Sequence, residues 1–289
     1  MRKLRKFEYV APRTLAEAVT LLQEHAGEAS LLAGGTDLLV AMKQGKITPH
    51  YVIDIKDISG LDSLTYDQQD GLRIGPLVTM QGLVRCLSVQ QHLPLLIEGA
   101  LATAVPQIRN RGTVAGNLCN ASPSADMAPP LIAAGASLKL AGARGERMVA
   151  AEEFFAAPFA TVLEEDELLA EIRVPCLPRG SGSSYQWLPK GTVVDETLVG
   201  AAVVITLDGA GACREARIAL GSVASTPLRA RQAEEVLRGQ GVVNGAVEEA
   251  ARVAAGETAP RSRAGYRREM VQVMVEEALR RAVARAQHS

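Results

Sequence analysis

The 289-residue sequence has only four cysteines, Cys86, Cys119, Cys176 and Cys213, and four histidines, His25, His50, His92 and His288. They are scattered. No CxxC pair occurs and no histidine joins a cysteine at ligand spacing, so neither an iron–sulfur cluster nor a zinc site is expected in this chain. Lone thiols of this kind suit a reducing cytoplasm. Lys and Arg number 31 against 32 Asp and Glu, a formal net charge of -1, so no global field favours nucleic acid or an anionic membrane. No apolar run reaches the roughly 18 residues of a membrane span. The basic opening Met1-Arg2-Lys3-Leu4-Arg5-Lys6 lacks the apolar stretch of a secretory signal, because Glu8, Pro12, Arg13 and Glu17 interrupt the residues after it. It is read as a solvated start to a first strand. Neither a GxGxxG nor a Walker lysine motif is present, which disfavours an ordinary nicotinamide or nucleoside-triphosphate fold. No repeat of solenoid period is visible.

What the sequence has is a set of well-marked local elements. Leu15, Ala18, Val19 and Leu22 make a helical stripe behind Thr14, an N-cap candidate with Glu17 three residues on. The apolar Ser30-Leu31-Leu32-Ala33 predicts a strand that runs into Gly34-Gly35-Thr36-Asp37, after which Leu38, Leu39 and Met42 resume helical spacing. Tyr51 to Ile55 and Leu72 to Gly75 are expected strands, and Thr79 to Val89 and Leu93 to Ala104 expected helices. The stretch from Thr113 to Asp126 is poor in helix formers and reads as a small-residue loop open to a ligand. The run Arg179-Gly180-Ser181-Gly182-Ser183-Ser184 is the most linker-like segment, so a domain boundary is expected near residue 178, separating residues 1–178 from 179–289. Beyond it, strands are expected at Val199 to Leu207 and Ala216 to Ala219. A helix opened by Thr226-Pro227 and a long helix from Ser262 to about Arg285 should come after them.

Two segments carry candidate chemistry. Gly34-Gly35-Thr36-Asp37 is either a nest of backbone N–H groups converging on a phosphate or a tight turn between strand and helix. Gly116-Asn117, with Thr113, Ser122, Ser124 and Asp126 around it, is either a second set of donors with one carboxylate or a polar surface loop. Taken together, a dinucleotide gripped from two sides is the better account.

The residues Leu31-Leu32-Ala33-Gly34-Gly35-Thr36-Asp37-Leu38-Leu39, Ile108-Arg109-Asn110-Arg111-Gly112-Thr113-Val114-Ala115-Gly116-Asn117 and Ser122-Pro123-Ser124-Ala125-Asp126-Met127-Ala128-Pro129-Pro130-Leu131 closely resemble the FAD-binding subunits of molybdopterin dehydrogenases. That family includes the medium subunit of aerobic carbon monoxide dehydrogenase and the flavin part of xanthine dehydrogenase. The resemblance extends over nearly the whole chain, through Glu171-Ile172-Arg173-Val174-Pro175 and Arg217 to Ala224. It implies a two-lobed α+β flavin fold of the vanillyl-alcohol-oxidase type, followed by a smaller α+β domain, with one FAD held without a covalent bond. By position, Leu31 to Leu38 are expected on the diphosphate, Thr113, Val114, Ala115, Gly116 and Asn117 on its other side, and Thr103, Asp126, Leu169 and Lys190 at further cofactor contacts. Ala115 departs from the glycine that many relatives carry. The segment Gly191 to Asp195 departs from the basic pair that often follows the lysine. The lone cysteines argue against the extra iron–sulfur insertion of hydroxybenzoyl-CoA reductases.

The resemblance further implies an electron-transfer role. A partner subunit with the molybdenum cofactor would oxidise substrate, a small partner with 2Fe–2S clusters would relay electrons, and this chain would pass them to a final acceptor, in a heterotrimer or its dimer. No general acid, base or nucleophile is expected here. A self-sufficient flavin oxidase of the same fold and a non-redox scaffold are the alternatives.

Overall fold

The computed structural model describes residues 4–192 and 195–288. The first three residues of the basic opening run, and Val193 and Val194 of the departing segment, lie outside the described residues.

Strand β1 (Glu8–Val10), helix α1 (Leu15–Glu24), strand β2 (Ala29–Leu32), helix α2 (Leu38–Gln44) and strand β3 (Tyr51–Asp54) form the first lobe. Its sheet is parallel in the order β1-β3-β2. Helix α1 starts where the capping pattern predicts: the Thr14 hydroxyl accepts from Glu17 N at 3.1 Å, and the Glu17 carboxylate accepts from Arg13 N at 2.7 Å. The helix buries Ala18 and Leu22 against Ile53 and Ile55 in a small core of its own.

The second lobe starts with β4 (Leu64–Asp67) and β5 (Gly71–Ile74), continues through α3 (Met80–Arg85), α4 (Leu87–His92), α5 (Pro94–Ala102), the one-turn α6 (Pro106–Arg109), α7 (Val114–Asn120) and α8 (Ala128–Ala133), and ends on β6 (Ser137–Gly142), β7 (Gly145–Ala150), the hairpin β8 (Phe155–Ala157) and β9 (Ala160–Thr161), and β10 (Leu168–Val174). Five strands pair antiparallel in the order β4-β5-β10-β6-β7. Strand β10 joins the lobes: Leu168 and Ala170 face the first core, while Leu169, across a bulge, faces the second. The single helix expected from Thr79 to Val89 is broken at Cys86, whose extended backbone (ψ 112°) ends α3 and starts α4. The stretch from Thr113 to Asp126, expected to be a loop throughout, begins as the short helix α7 and is irregular only from residue 121 onward. Its poor intrinsic propensity is overridden by the Thr113 cap on Gly116 N and by burial of Val114, Ala115 and Leu118. Ala115 thus needs no glycine: its Cβ packs in the core.

The remaining body comprises β11 (Ser181–Pro189), β12 (Thr197–Leu207), β13 (Cys213–Gly221), β14 (Leu228–Arg229), α9 (Arg231–Leu237), α10 (Asn244–Gly256) and α11 (Ala264–Ala286), its strands antiparallel in that order. Strand β12 is buried along its entire length. Ala202 and Val204 point into the second-lobe core, while Ala201, Val203 and Ile205 point into a core shared with α9, α10 and α11. Thr226-Pro227 does not cap a helix; the chain first makes β14, and α9 begins after Ala230. The linker-like residues 181–184 are the first half of β11. Here the glycine serves packing rather than flexibility, since a Cβ on Gly182 would stand 1.9 Å from Ala282 O of α11. Glu98 of α5 then fastens the corner, accepting from Tyr185 N at 2.6 Å and from Arg285 at 2.7 Å. Gly182→Ala is therefore expected to destabilise the chain by about 3 kcal/mol, the upper end of overpacking costs, because the clash is with helix backbone that no rotamer can relieve. A thermal melt checks it, and an unshifted transition would mean that α11 stands off the sheet.

Candidate functional site

The carboxyl end of β2 opens onto residues 33–37, the usual ligand-facing end of a parallel strand. Gly35 has φ +76°, which the turn requires, and its carbonyl accepts from Leu39 N to begin α2. Gly34 answers a different demand. A Cβ there would lie 2.1 Å from Arg111 O and 3.1 Å from Gly112 Cα, and one on Gly112 would lie 3.4 Å from the Thr36 hydroxyl. The glycine turn of the first lobe is thus in van der Waals contact with Arg111 and Gly112, the residues that lead into the second segment. Within the second lobe, Thr113 is held by an antiparallel bridge to Thr79. The backbone N–H groups of Gly34, Gly35, Thr36 and Asp37 donate to no acceptor among the described residues. Asp37 starts α2 without a side-chain cap. Unused, consecutive N–H groups at such a turn are an anion cradle.

The second segment is less free than its composition implies. Val114 N donates to Val78 O, Gly116 N to the Thr113 hydroxyl, and Asn117 N to Thr113 O. The donors it retains are few, among them the Asn117 amide group, whose oxygen accepts from Met127 N at 3.2 Å. The Thr103 hydroxyl donates to Gly99 O beside the left-handed Ala104 (φ +46°). Leu169 is a buried core residue, so any outward contact is by its backbone.

At the far end of α7 the chemistry changes. Asp126 is 8% exposed and accepts from the Tyr185 hydroxyl at 3.1 Å and the Thr197 hydroxyl at 2.5 Å. Burial, opposed by those two hydrogen bonds, pushes its carboxyl up to about 6. Lys190 forms an ion pair with Glu196 at the edge of a cleft of about 340 Å3. Ser122, Phe159, Ser222, Arg261 and Arg267 also line this cleft. Of those five, only Ser122 stands out in the sequence, as a donor near Gly116. The marks on two others are conformational: Phe159 has φ +61° while 66% exposed, and Ser222 has φ +66° while 7% exposed. Bulky left-handed residues are rare, and no residue type announces them. The Ser222 hydroxyl and the Arg267 Nε are buried without a hydrogen-bond partner. Cys119, the thiol nearest in sequence, packs on the second-lobe core, and burial pushes it up to about 12, so it stays protonated. Among the described residues no cluster of His, Cys, Asp and Glu could hold a metal ion, and no helix is long and apolar enough to cross a membrane.

A two-lobed α+β body with an unsaturated N–H turn on one lobe, a capped helix on the other and a half-polar cleft beyond it defines a dinucleotide-cofactor protein. The comparisons with known proteins name the kind. Residues 5–177 match the model of the FAD binding domain in molybdopterin dehydrogenase, and residues 184–282 that of the CO dehydrogenase flavoprotein C-terminal domain. The chain is 38% identical to the carbon monoxide dehydrogenase medium chain of Afipia carboxidovorans, over 98% of each. It is 34% identical to the putative xanthine dehydrogenase FAD-binding subunit of Escherichia coli, over 96% of each. A structure of the Hydrogenophaga pseudoflava carbon monoxide dehydrogenase lacking the Mo-pyranopterin moiety superposes with a TM-score of 0.93 at 39% identity, covering 98% of this chain and 99% of that one. The chain belongs to the FAD-binding subunits of the molybdopterin dehydrogenases, and is the flavin subunit of an oxidoreductase.

Proposed function

We propose that FAD lies along the lobe junction, its diphosphate on the N–H groups of residues 34–37, its far side closed by Thr113 and Asn117, and its flavin ring turned past Asp126 toward the cleft at Lys190. The observation that carries this reading is the contact of Gly34 with Arg111, which aligns unused donors from one lobe with the start of α7 on the other. Helix α7 supplies the spacing. Its seven residues rise about 10 Å, which separates the phosphate end from the cleft by the reach of a sugar chain. Orphaned polar atoms at both ends fit the cofactor: unused N–H groups for phosphate oxygens, and a buried hydroxyl and guanidinium nitrogen for the polar edge of the ring. Leu31, Leu32 and Leu169 support the site as packing, and Thr103 from its rim. We place the domain boundary near residue 178, which the separate matches to residues 5–177 and 184–282 support.

The bound flavin supplies the chemistry, collecting two electrons and passing them on, while the protein binds, orients and tunes it. A small 2Fe–2S subunit delivers those electrons from a large molybdenum-cofactor subunit, where substrate is oxidised, in a cytoplasmic heterotrimer or its dimer. The absence, among the described residues, of a side-chain constellation for activating substrate favours this over a self-sufficient oxidase. The unused N–H cradle favours it over a scaffold. Purified chain is expected to take up about one FAD, released by acid, to contain no stoichiometric iron or molybdenum, and to show substrate-dependent flavin bleaching only once both partners are added anaerobically. No uptake of FAD would support the scaffold reading. Turnover by the lone chain at the rate of the mixture would support the oxidase.

A further inference from the structure

The cleft beyond Asp126 has a one-sided electrostatic character that the cradle for the diphosphate does not explain. Arg261, exposed at its mouth, and Arg263 beside it form no ion pair or side-chain hydrogen bond among the described residues. Arg267 donates through Nη1 to Leu198 O and Ser222 O, both neutral, and its Nε is buried and unpartnered. Burial and the charges of Arg261 and Arg263 depress its guanidinium, so these cations sit within electrostatic reach of one another. Lys190 brings Glu196, the one carboxylate of the lining, and the two cancel. What remains is an excess of positive charge facing a hollow, with the unpartnered Ser222 hydroxyl inside it.

The backbone points to the same place. Of the five non-glycine residues with positive φ among the described residues, Phe159 and Ser222 line the cleft, Ala121 adjoins Ser122 of its lining, and Arg263 stands next to Ser262, also in the lining. Ala121 and Arg263 serve as helix caps, but at Phe159 and Ser222 the conformation costs energy that no helix end explains, and both line the same hollow, as in a site built for a ligand. Phe159 N donates to Ala121 O at 2.8 Å, which holds the exposed ring at the rim, where it can cover a planar group.

We infer that the C-terminal body supplies Arg261, Arg267 and Ser222 as an anion clamp for the pyrimidine edge of the flavin, binding the reduced cofactor more tightly than the oxidised one. The inference rests on the placement of the flavin proposed above. Two electrons and one proton, delivered by the iron–sulfur partner and solvent, reduce the ring; the proton goes to N5, and the extra negative charge stays on N1 and the adjoining carbonyl oxygen. Cations there favour the reduced form and raise the potential at which the chain accepts electrons. The first and second lobes bind FAD in either state, while the C-terminal body discriminates between them.

The test is the midpoint potential of FAD on the full chain, measured by dye-equilibrated reductive titration, alongside the Kd of oxidised FAD. Arg261 is exposed and tied to nothing, so its replacement does not threaten folding. Arg261→Gln is expected to cost about tenfold more affinity for reduced than for oxidised FAD, a potential lower by about 30 mV for a two-electron couple. Arg261→Glu should lower it by about twice as much, and Arg261→Lys should restore the parent value. A potential unchanged in the Gln and Glu variants, with FAD still bound, overturns the clamp and leaves the cofactor assignment standing. A Lys variant as low as Gln overturns it too, since charge would then not be the cause. Failure of the unaltered chain to bind FAD overturns the cofactor assignment itself.

Discussion

Gly34→Ala is expected to weaken FAD binding by about a hundredfold while leaving a folded chain. Gly34 does not occupy the left-handed region, so alanine brings no backbone strain of its own; what it brings is a methyl group 2.1 Å from Arg111 O and 2.9 Å from Arg111 C. Both atoms are backbone, fixed by the hydrogen bonds that Arg111 N and Gly112 N donate to Ile108 O. Relief requires the two lobes to part at this seam by an ångström or more. Each lobe keeps its own core, so stability changes by only about 1–2 kcal/mol, within the range of overpacking. Cofactor affinity is more sensitive, because a diphosphate can satisfy donors on both sides only while the seam is closed, and a misplacement of about 1 Å in a preorganised site costs on the order of a hundredfold. Fluorescence titration with FAD, with far-ultraviolet circular dichroism as the folding control, measures both quantities. Unaltered affinity would mean that residues 34–37 are merely a turn.

Asp126→Asn should stabilise the cofactor-free chain at pH 7 by about 3 kcal/mol and weaken its hold on FAD by tenfold or more. The carboxyl sits at about 6 in the folded chain against 3.8 unfolded, so the folded state binds its proton more tightly. Stability from this group is therefore full below about pH 4, falls as pH rises toward 6 and stays lost above. Asparagine is neutral throughout, and its oxygen can still accept from Tyr185 and Thr197. The two chains should thus melt alike below pH 4 and diverge above it, the shift of about two units setting the scale. A native carboxylate that weakens the empty protein points to a task in the loaded one: accepting hydrogen bonds from cofactor hydroxyls. Melting curves that stay parallel from pH 4 to 8 would show that the carboxyl is charged at no cost.

The first half of the candidate site is more legible in the sequence than the second. Residues 31–38 were legible because a parallel strand, a glycine turn and a helix start are each written in local residue types. Thr113 to Asn117 stood out as a segment but not as a helix, since helix propensity is weak there and the decisive burial of Val114, Ala115 and Leu118 comes from elsewhere in the chain. For the same reason Ser181-Gly182 looked like linker: only the packed turn of α11 reveals why glycine is needed. The cleft was illegible as a whole, because Ser122, Phe159, Ser222 and Arg261 come from distant parts of the chain and the left-handed backbone at Phe159 and Ser222 has no residue signature. Asp126 is singled out as a cofactor contact by the resemblance, and its partners Tyr185 and Thr197 depend on the pairing of β11 with β12.

The way Ala202, Val204 and Tyr185 intrude into the second-lobe core has a consequence for biosynthesis. While the ribosome is still making the strands beyond β10, that core lacks part of its wall, and β11 in turn waits for α11, which is synthesised after every element it covers. The core around Ile53 stays open until Leu168 and Ala170 of β10 are made, the second-lobe core until β13 supplies Ala219, and the C-terminal core until α11 follows. Apolar surface of the second lobe and of the C-terminal body therefore stays uncovered through much of synthesis, and the two cores close as one late folding step.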